Sequence, residues 1–293
     1  MDHALVNAFD SAIRNARPPD YAQPPVLYHY TTAGGFEGII RSRAIRATNF
    51  SFMNDPSEIA YGRRLIMRLL GERRRGAAPL IEQLLNGVTI DLAGDLPEIY
   101  VASFSTSRDD LSQWRAYGGS PARFALGFPT SFVHEATTRA YEHFVRFSRV
   151  LYEESDQIEK VGLPIDAAVA FLQQNEVGPE EAKELRAKLT RRLLRMLPGL
   201  KEPAYRAEAE WRIVILARPE VELKLSFDTS RGVIRPYLLF PLETREGIPL
   251  VLESLLVLAP AHPEAAMKAA GMVLRSAGIT NVNLRPSGIP FAE

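Results

Sequence analysis

The chain has 293 residues and balances 35 Lys and Arg against 35 Asp and Glu, so bulk charge favours neither a polyanion nor an anionic membrane surface as partner. It has no cysteine, which excludes disulfides, thiolate zinc sites and cysteine nucleophiles. A 46% hydrophobic and 24% charged composition is that of a globular chain able to bury a large core.

Leu5, Phe9 and Ile13, spaced by four, predict an amphipathic helix over 2–16, ended by Arg17-Pro18-Pro19. This N-terminus has an early acid and no long apolar run, unlike a signal peptide. Pro24-Pro25 hold the chain extended before a strand over Leu27–Thr31. Alternation puts Tyr28 and Tyr30 on one face of it and Leu27, His29 and Thr31 on the other. A helix over Ala33–Arg41 buries Phe36, Ile39 and Ile40, and Ile45–Thr48 reads as a short strand. Asn54-Asp55-Pro56-Ser57-Glu58 reads as a helix start, with Asn54 or Asp55 as cap, Pro56 in the first turn and Glu58 at the positive end. That helix runs to about Leu70, followed by a basic turn over Gly71–Gly76 and a helical piece over Leu80–Leu85.

Strands follow at Ile99–Ser105, Phe124–Phe128 and Phe144–Tyr152, with a short helix opened by Asp109 and Asp110 after the first. From Ser155 to Leu197 the pattern is helical, striped by Leu185, Leu189 and Leu193 and broken at Gly178-Pro179. The segment looks too small and too charged to bury a core of its own, so the expectation is a single α+β domain over 1–293 with a helical insertion at about 155–197. Further strands are expected at Glu210–Leu216, Val221–Phe227, Val233–Leu239 and Leu252–Leu258, then a helix over Pro263–Ser276 and a strand near Val282. The most apolar stretch, Ile248–Pro260, contains Glu253 and is too short to cross a bilayer, so a cytoplasmic protein is expected. Strict β-α-β alternation fails after Tyr100, which argues for α+β over a doubly wound fold. Gly34-Gly35-x-x-Gly38 lacks the spacing of a phosphate-binding fingerprint.

Three clusters could carry chemistry. His29 is either a hydrogen-bonded interior side chain or part of a site. In Phe104–Gly118, Trp114 and Tyr117 share a helix face, fit either to stack on a planar ligand or to pack into the core. In the third, Glu208, Glu210 and Arg212 share one strand face, opposite Trp211, Ile213 and Ile215. They form either a surface ladder or the charged edge of a cleft. The five histidines show no metal-ligand spacing, so no metal is expected. The arginine runs at 63–64, 73–75 and 191–192 read as solvated helix faces.

Together, Tyr28–Thr31, Asn54–Glu58, Ser103–Ser105 and Glu208–Arg212 resemble the ordered motifs of a family of uncharacterised bacterial proteins, and Ser287–Phe291 resembles its closing segment. The chain is also distantly similar to the ADP-ribosyltransferase superfamily. That resemblance implies a split mixed β-sheet core with inserted helices and a His–Tyr–Glu triad made by His29, Tyr117 (or Trp114) and Glu210. It further implies that NAD is the substrate, that its nicotinamide–ribose bond is cleaved, and that ADP-ribose passes to an unknown protein or nucleic-acid acceptor. Glu210, beside Glu208, would stabilise the oxocarbenium-like transition state. His29, Tyr30 and Thr31 would position the dinucleotide, Trp114 or Tyr117 would stack on nicotinamide, and Arg46 or Arg212 would meet the pyrophosphate. The alternative is a non-catalytic nucleotide- or partner-binding module on the same scaffold, with phage defence as one setting. The sharper expectation is geometric: His29 matters only if it faces Glu210.

Overall fold

In the computed structural model the described residues are 3–15, 23–53, 57–95, 97–116, 121–138, 143–218, 220–229, 232–243 and 250–290. In chain order they form α1 (His3–Asn15), β1 (Val26–Thr32), α2 (Ala33–Ser42), β2 (Ala44–Asn49), α3 (Ser57–Arg74) and α4 (Pro79–Ala93). Next come β3 (Ile99–Ser105), α5 (Leu111–Ala116), β4 (Arg123–Pro129), α6 (Thr130–Thr138), β5 (Phe144–Arg149), α7 (Glu154–Gln174) and α8 (Pro179–Leu194). The chain closes with β6 (Glu210–Leu216), β7 (Ser226–Asp228), β8 (Arg235–Pro241), β9 (Ser254–Leu258), α9 (Pro263–Ser276) and β10 (Asn283–Pro286). Arg17–Pro19 and the capping residues Asn54–Pro56 lie outside the described residues.

The chain divides into two compact units where one domain was expected. The helical unit comprises Met1–Tyr21, Met53–Glu98 and Val150–Arg206, and so contains α1, α3, α4, α7 and α8. The segment 155–197 does not stand alone as a charged insertion. Its stripe, Leu185, Leu189 and Leu193, is fully buried, and α7 and α8 pack on α1, α3 and α4. Phe9 meets Phe171 edge-to-face at 5.2 Å, a geometry that adds to their buried area. The missing core thus comes from two distant segments, 1–21 and 53–98.

Instead of ending near Leu70, α3 runs through the expected basic turn to Arg74. Leu69 and Leu70 are buried, Arg73 Nε donates to Asp166 Oδ1 at 2.8 Å and Arg74 Nη1 to Asn86 Oδ1 at 2.8 Å. Glu58 lies buried in the first turn with its carboxylate 3.7 Å from Lys201 Nζ. Fully buried Gln157 accepts from Tyr61 Oη at 2.6 Å and donates to the Leu151 and Lys201 carbonyls at 2.7 Å each, so a polar side chain deep in this unit is satisfied.

The sheet unit comprises Ala22–Phe52, Ile99–Arg149 and Ala207–Glu293. Its mixed sheet is antiparallel except for the β9–β10 pair. The path β10-β9-β4-β1-β3-β2-β8-β7 branches at β3, which also carries β6 and, through it, β5. One face buries a large apolar layer in which Leu27, Ile45, Tyr100, Phe104, Leu126, Trp211, Ile213 and Phe240 are joined by Phe36 of α2, Phe132 of α6 and Leu274 of α9. The other carries a smaller cluster of Tyr28, Tyr30, Trp114, Ala125, Leu256 and Leu258. The α+β expectation therefore holds at the level of a mixed, antiparallel-dominated sheet with helices.

The expected strand over Val221–Phe227 shrinks to β7, and that over Val233–Leu239 moves to Arg235–Pro241. Register with β2, from Ala44↔Pro241 to Thr48↔Tyr237, sets β8's position. The unforeseen α6 is a short helix whose buried Phe132, Val133 and Ala136 are too few to stand out as a period.

Leu189→Ala distinguishes a cored unit from a solvated insertion. A loss of about 2–5 kcal/mol is expected in urea unfolding, the cost of emptying a packed leucine site. A change below about 0.5 kcal/mol would place α8 on a solvated surface.

Candidate functional site

The site is built where β3 loses its single neighbour. Along one edge β3 pairs with β6 throughout, from Ile99↔Leu216 to Ser105↔Glu210. The other edge is shared, with β2 at Thr48↔Val101 and Asn49↔Tyr100 and β1 only at Tyr28↔Ser105. In this fork the Ser103 carbonyl is met by His29 Nδ1 at 2.9 Å, where an unbroken ladder would supply a backbone N–H. A carbonyl can only accept, so Nδ1 carries the proton and Nε2 keeps its lone pair in the neutral ring. Burial lowers the His29 pKa below its ordinary value, opposed by the Ser103 bond.

On three adjacent strands Tyr28, Ser105 and Glu210 stand in register, in one row on one face. The strand ends are tied together: Ser105 Oγ donates to the Glu208 carbonyl at 2.8 Å, Thr106 N–H to the Ala209 carbonyl at 3.1 Å, and Ser107 N–H to Ser105 Oγ at 3.1 Å. Ala209 sits in the left-handed region at φ 45°, a turn costly for alanine that aims the chain into β6. Glu210 Oε2 and Arg212 Nη2 are 2.5 Å apart, with side chains 12% and 1% exposed. Arg212 in turn faces Ser103, whose Oγ is buried with no hydrogen-bond partner among the described residues.

His29 does not join that row. Alternation from Tyr28 turns it to the opposite face, and its ring lies 5.8 Å from Phe104, in the large apolar layer. His29 reaches the fork from the other side of the sheet and acts on the same strand through its backbone. The condition set for His29, that it face Glu210, is not met, and the two do not join in a triad on one face.

Several other expectations change. Trp114 is fully buried, donates Nε1–H to Asp109 Oδ1 at 2.7 Å and packs edge-on against Tyr30 at 4.8 Å, so it is a core side chain with no open face for nicotinamide. Tyr117 lies outside the described residues. Tyr30 is buried, donates Oη–H to the Ser107 carbonyl at 2.8 Å and accepts from Asp110 N–H at 3.2 Å; burial raises its pKa. It holds the loop after β3. Thr31 is buried where α2 begins, and a Cβ at Gly35 would run into its Oγ1; Thr32 caps that helix by accepting from Gly35 N–H at 3.3 Å.

Of the two acids expected to open the helix after β3, Asp110 caps it, its Oδ1 accepting from Ser112 N–H at 2.8 Å and Gln113 N–H at 3.2 Å. Asp109 turns elsewhere. Arg46 lies on the Glu210 face by register, but on β2, with its guanidinium 4.8 Å from the Tyr237 ring and 3.8 Å from Asp228. Ser103 and Ser105 carried a usable signal: the Ser-Phe-Ser alternation has the same period as Glu-x-Glu, the pattern of two paired strands sharing a polar face. Among the described residues no three His, Asp or Glu side chains cluster as metal ligands, and no helix is long and apolar enough to cross a membrane.

Residues 113–213 match the family model described as "Protein of unknown function (DUF2971)". The match runs from α5 into β6, so it takes in Trp114, Glu208, Glu210 and Arg212 and leaves β1 with His29 outside. No curated protein and no solved structure matches the chain.

The His29 geometry predicts a pH dependence. The unfolded chain takes up a proton at His29 near pH 6.5, while the folded ring resists it. Stability is then full above about pH 6.5 and falls below it, by at most about 1.4 kcal/mol per pH unit for one proton. His29→Gln retains an N–H donor for Ser103 and should flatten this slope relative to wild type between about pH 6.5 and 5 in chemical denaturation. Parallel wild-type and variant slopes would show that His29 is not held neutral.

Proposed function

We propose that this chain is an NAD-consuming, ADP-ribosyltransferase-like enzyme whose reacting carboxylate is Glu210. The observation that carries the reading is the row Tyr28–Ser105–Glu210, where residues from three distant motifs meet on one face across three adjacent strands. The resemblance stated from the motifs supplies NAD, and the row supplies a carboxylate at the first residue of β6, opposite the last residue of β3.

In the proposed reaction the bond between the nicotinamide nitrogen and ribose C1′ breaks heterolytically, and its electron pair leaves with nicotinamide. The acceptor's lone pair then bonds to C1′ and the acceptor loses a proton. Positive charge grows on the ribose between these events, and a fixed carboxylate lowers the barrier by stabilising it. The ion pair with Arg212 fixes the orientation of Glu210, and Ser105 ties Glu208 so that β6 starts at a set height. His29, on the opposite face, contributes through the Ser103 carbonyl, which it holds at the fork in β3.

A second reading has its own support. Glu210 is already engaged by buried Arg212, and the buried Trp114 cannot stack on a ring. Both fit a nucleotide-binding module without turnover.

Purified protein incubated with nicotinamide-labelled NAD should release nicotinamide, and Glu210→Gln should reduce the rate by about 100-fold or more, the scale seen when one transition-state electrostatic contact is removed. NAD binding by calorimetry without release favours the binding module. Neither binding nor release overturns both readings.

A further inference from the structure

We infer that Asp109 is a positioning residue that straps the C-terminal segment Ser287–Gly288 onto the loop leading away from Ser105, making that segment part of the candidate site. One carboxylate collects three donors from two parts of the chain. Asp109 Oδ1 accepts from Trp114 Nε1–H at 2.7 Å and from Ser287 Oγ–H at 2.6 Å, and Oδ2 accepts from Gly288 N–H at 2.7 Å. Charge-assisted bonds of this length are the strong ones, and the indole N–H of a fully buried ring has no water to fall back on.

The strap has a continuous physical route to the row. Trp114, held by Asp109, packs edge-on against Tyr30. Tyr30 Oη donates to the Ser107 carbonyl and receives Asp110 N–H, pinning the loop on either side of Asp109. Ser107 N–H donates to Ser105 Oγ, which donates to the Glu208 carbonyl, two residues before Glu210. At the other end Ser287 N–H donates to the Val257 carbonyl on β9, Ile289 N–H donates to Ser287 Oγ at 3.1 Å, and Ile289 packs on the Tyr28–Tyr30–Trp114 cluster. The closing Ser-Gly-Ile therefore bears on both the tyrosine row and the loop. A surface carboxylate serving only solubility would have no reason to satisfy a buried indole and a distant strand end at once.

The role of Asp109 at a reacting centre rests on the NAD reading; the mechanical coupling does not. The test is amide hydrogen exchange on wild type, Asp109→Asn and the milder Ser287→Ala, read alongside nicotinamide release. Asp109→Asn should accelerate exchange about tenfold or more at Gly288 and also at Thr106, Ser107 and Asp110, with β4 and β9 core amides unchanged; Ser287→Ala should produce a smaller change with the same distribution. In the NAD reaction Asp109→Asn should lower kcat about tenfold with KM within about twofold, because it disturbs groups that act in the transition state. Acceleration confined to Gly288, or spread evenly over the sheet as in global destabilisation, overturns the coupling even where nicotinamide is released. If wild type releases none, the NAD reading fails while the exchange pattern still decides the strap. Should Asp109→Asn not fold, Ser287→Ala carries the same two readouts.

Discussion

The shared edge of β3 is the constraint on which the rest of the sheet unit depends. A strand has two edges, and here one must serve both β1 and β2 while β6 occupies the other. Two strands cannot occupy the same stretch of edge, so the ladder opens and leaves backbone groups without their usual partners. His29 Nδ1 fills the gap at Ser103. An imidazole is suited to this because it is flat, reaches beyond its own backbone and donates one well-directed bond while remaining neutral. Its lowered pKa is the electrostatic side of the same placement.

On the unbroken edge polar side chains are carried in the ladder between β3 and β6. Ser105, Glu210 and Arg212 are mostly buried, and each is tied to a partner. Burial of a charge pair is costly unless its geometry is good. The short Glu210–Arg212 contact and the bonds that pin β6 to the end of β3 provide that geometry. The loop after β3 is built the same way, with Tyr30, Asp109 and Asp110 each spending polar atoms on the backbone or on a buried neighbour.

Much of the fold was legible because its signals are local. The boundaries of β3, β6 and α9 follow from alternation and from proline and serine punctuation, and Gly178-Pro179 marks the break between α7 and α8. Two features were not legible. The helical unit gathers its core from three segments, so the stripe on α8 reads as an exposed insertion until α1 and α4 are placed beside it. The site's handedness was hidden as well. Alternation correctly separated Tyr28 from His29, but which of them shares a face with Glu210 depends on the register across β3, a long-range property that one strand's sequence does not carry. The aromatic at Trp114 was equally ambiguous, since a ring three residues from another can stack or pack, and its bond to Asp109 together with its full burial decides for packing.

The proposal that matters most is that a nucleotide engages the row Tyr28–Ser105–Glu210. Titrating isotope-labelled protein with NAD and following backbone amide resonances tests it directly. Shifts are expected to concentrate at Tyr28–His29, Ser103–Ser107 and Glu208–Arg212. Saturating NAD that leaves these amides unmoved, or that shifts only amides of α3 and α7, would contradict it.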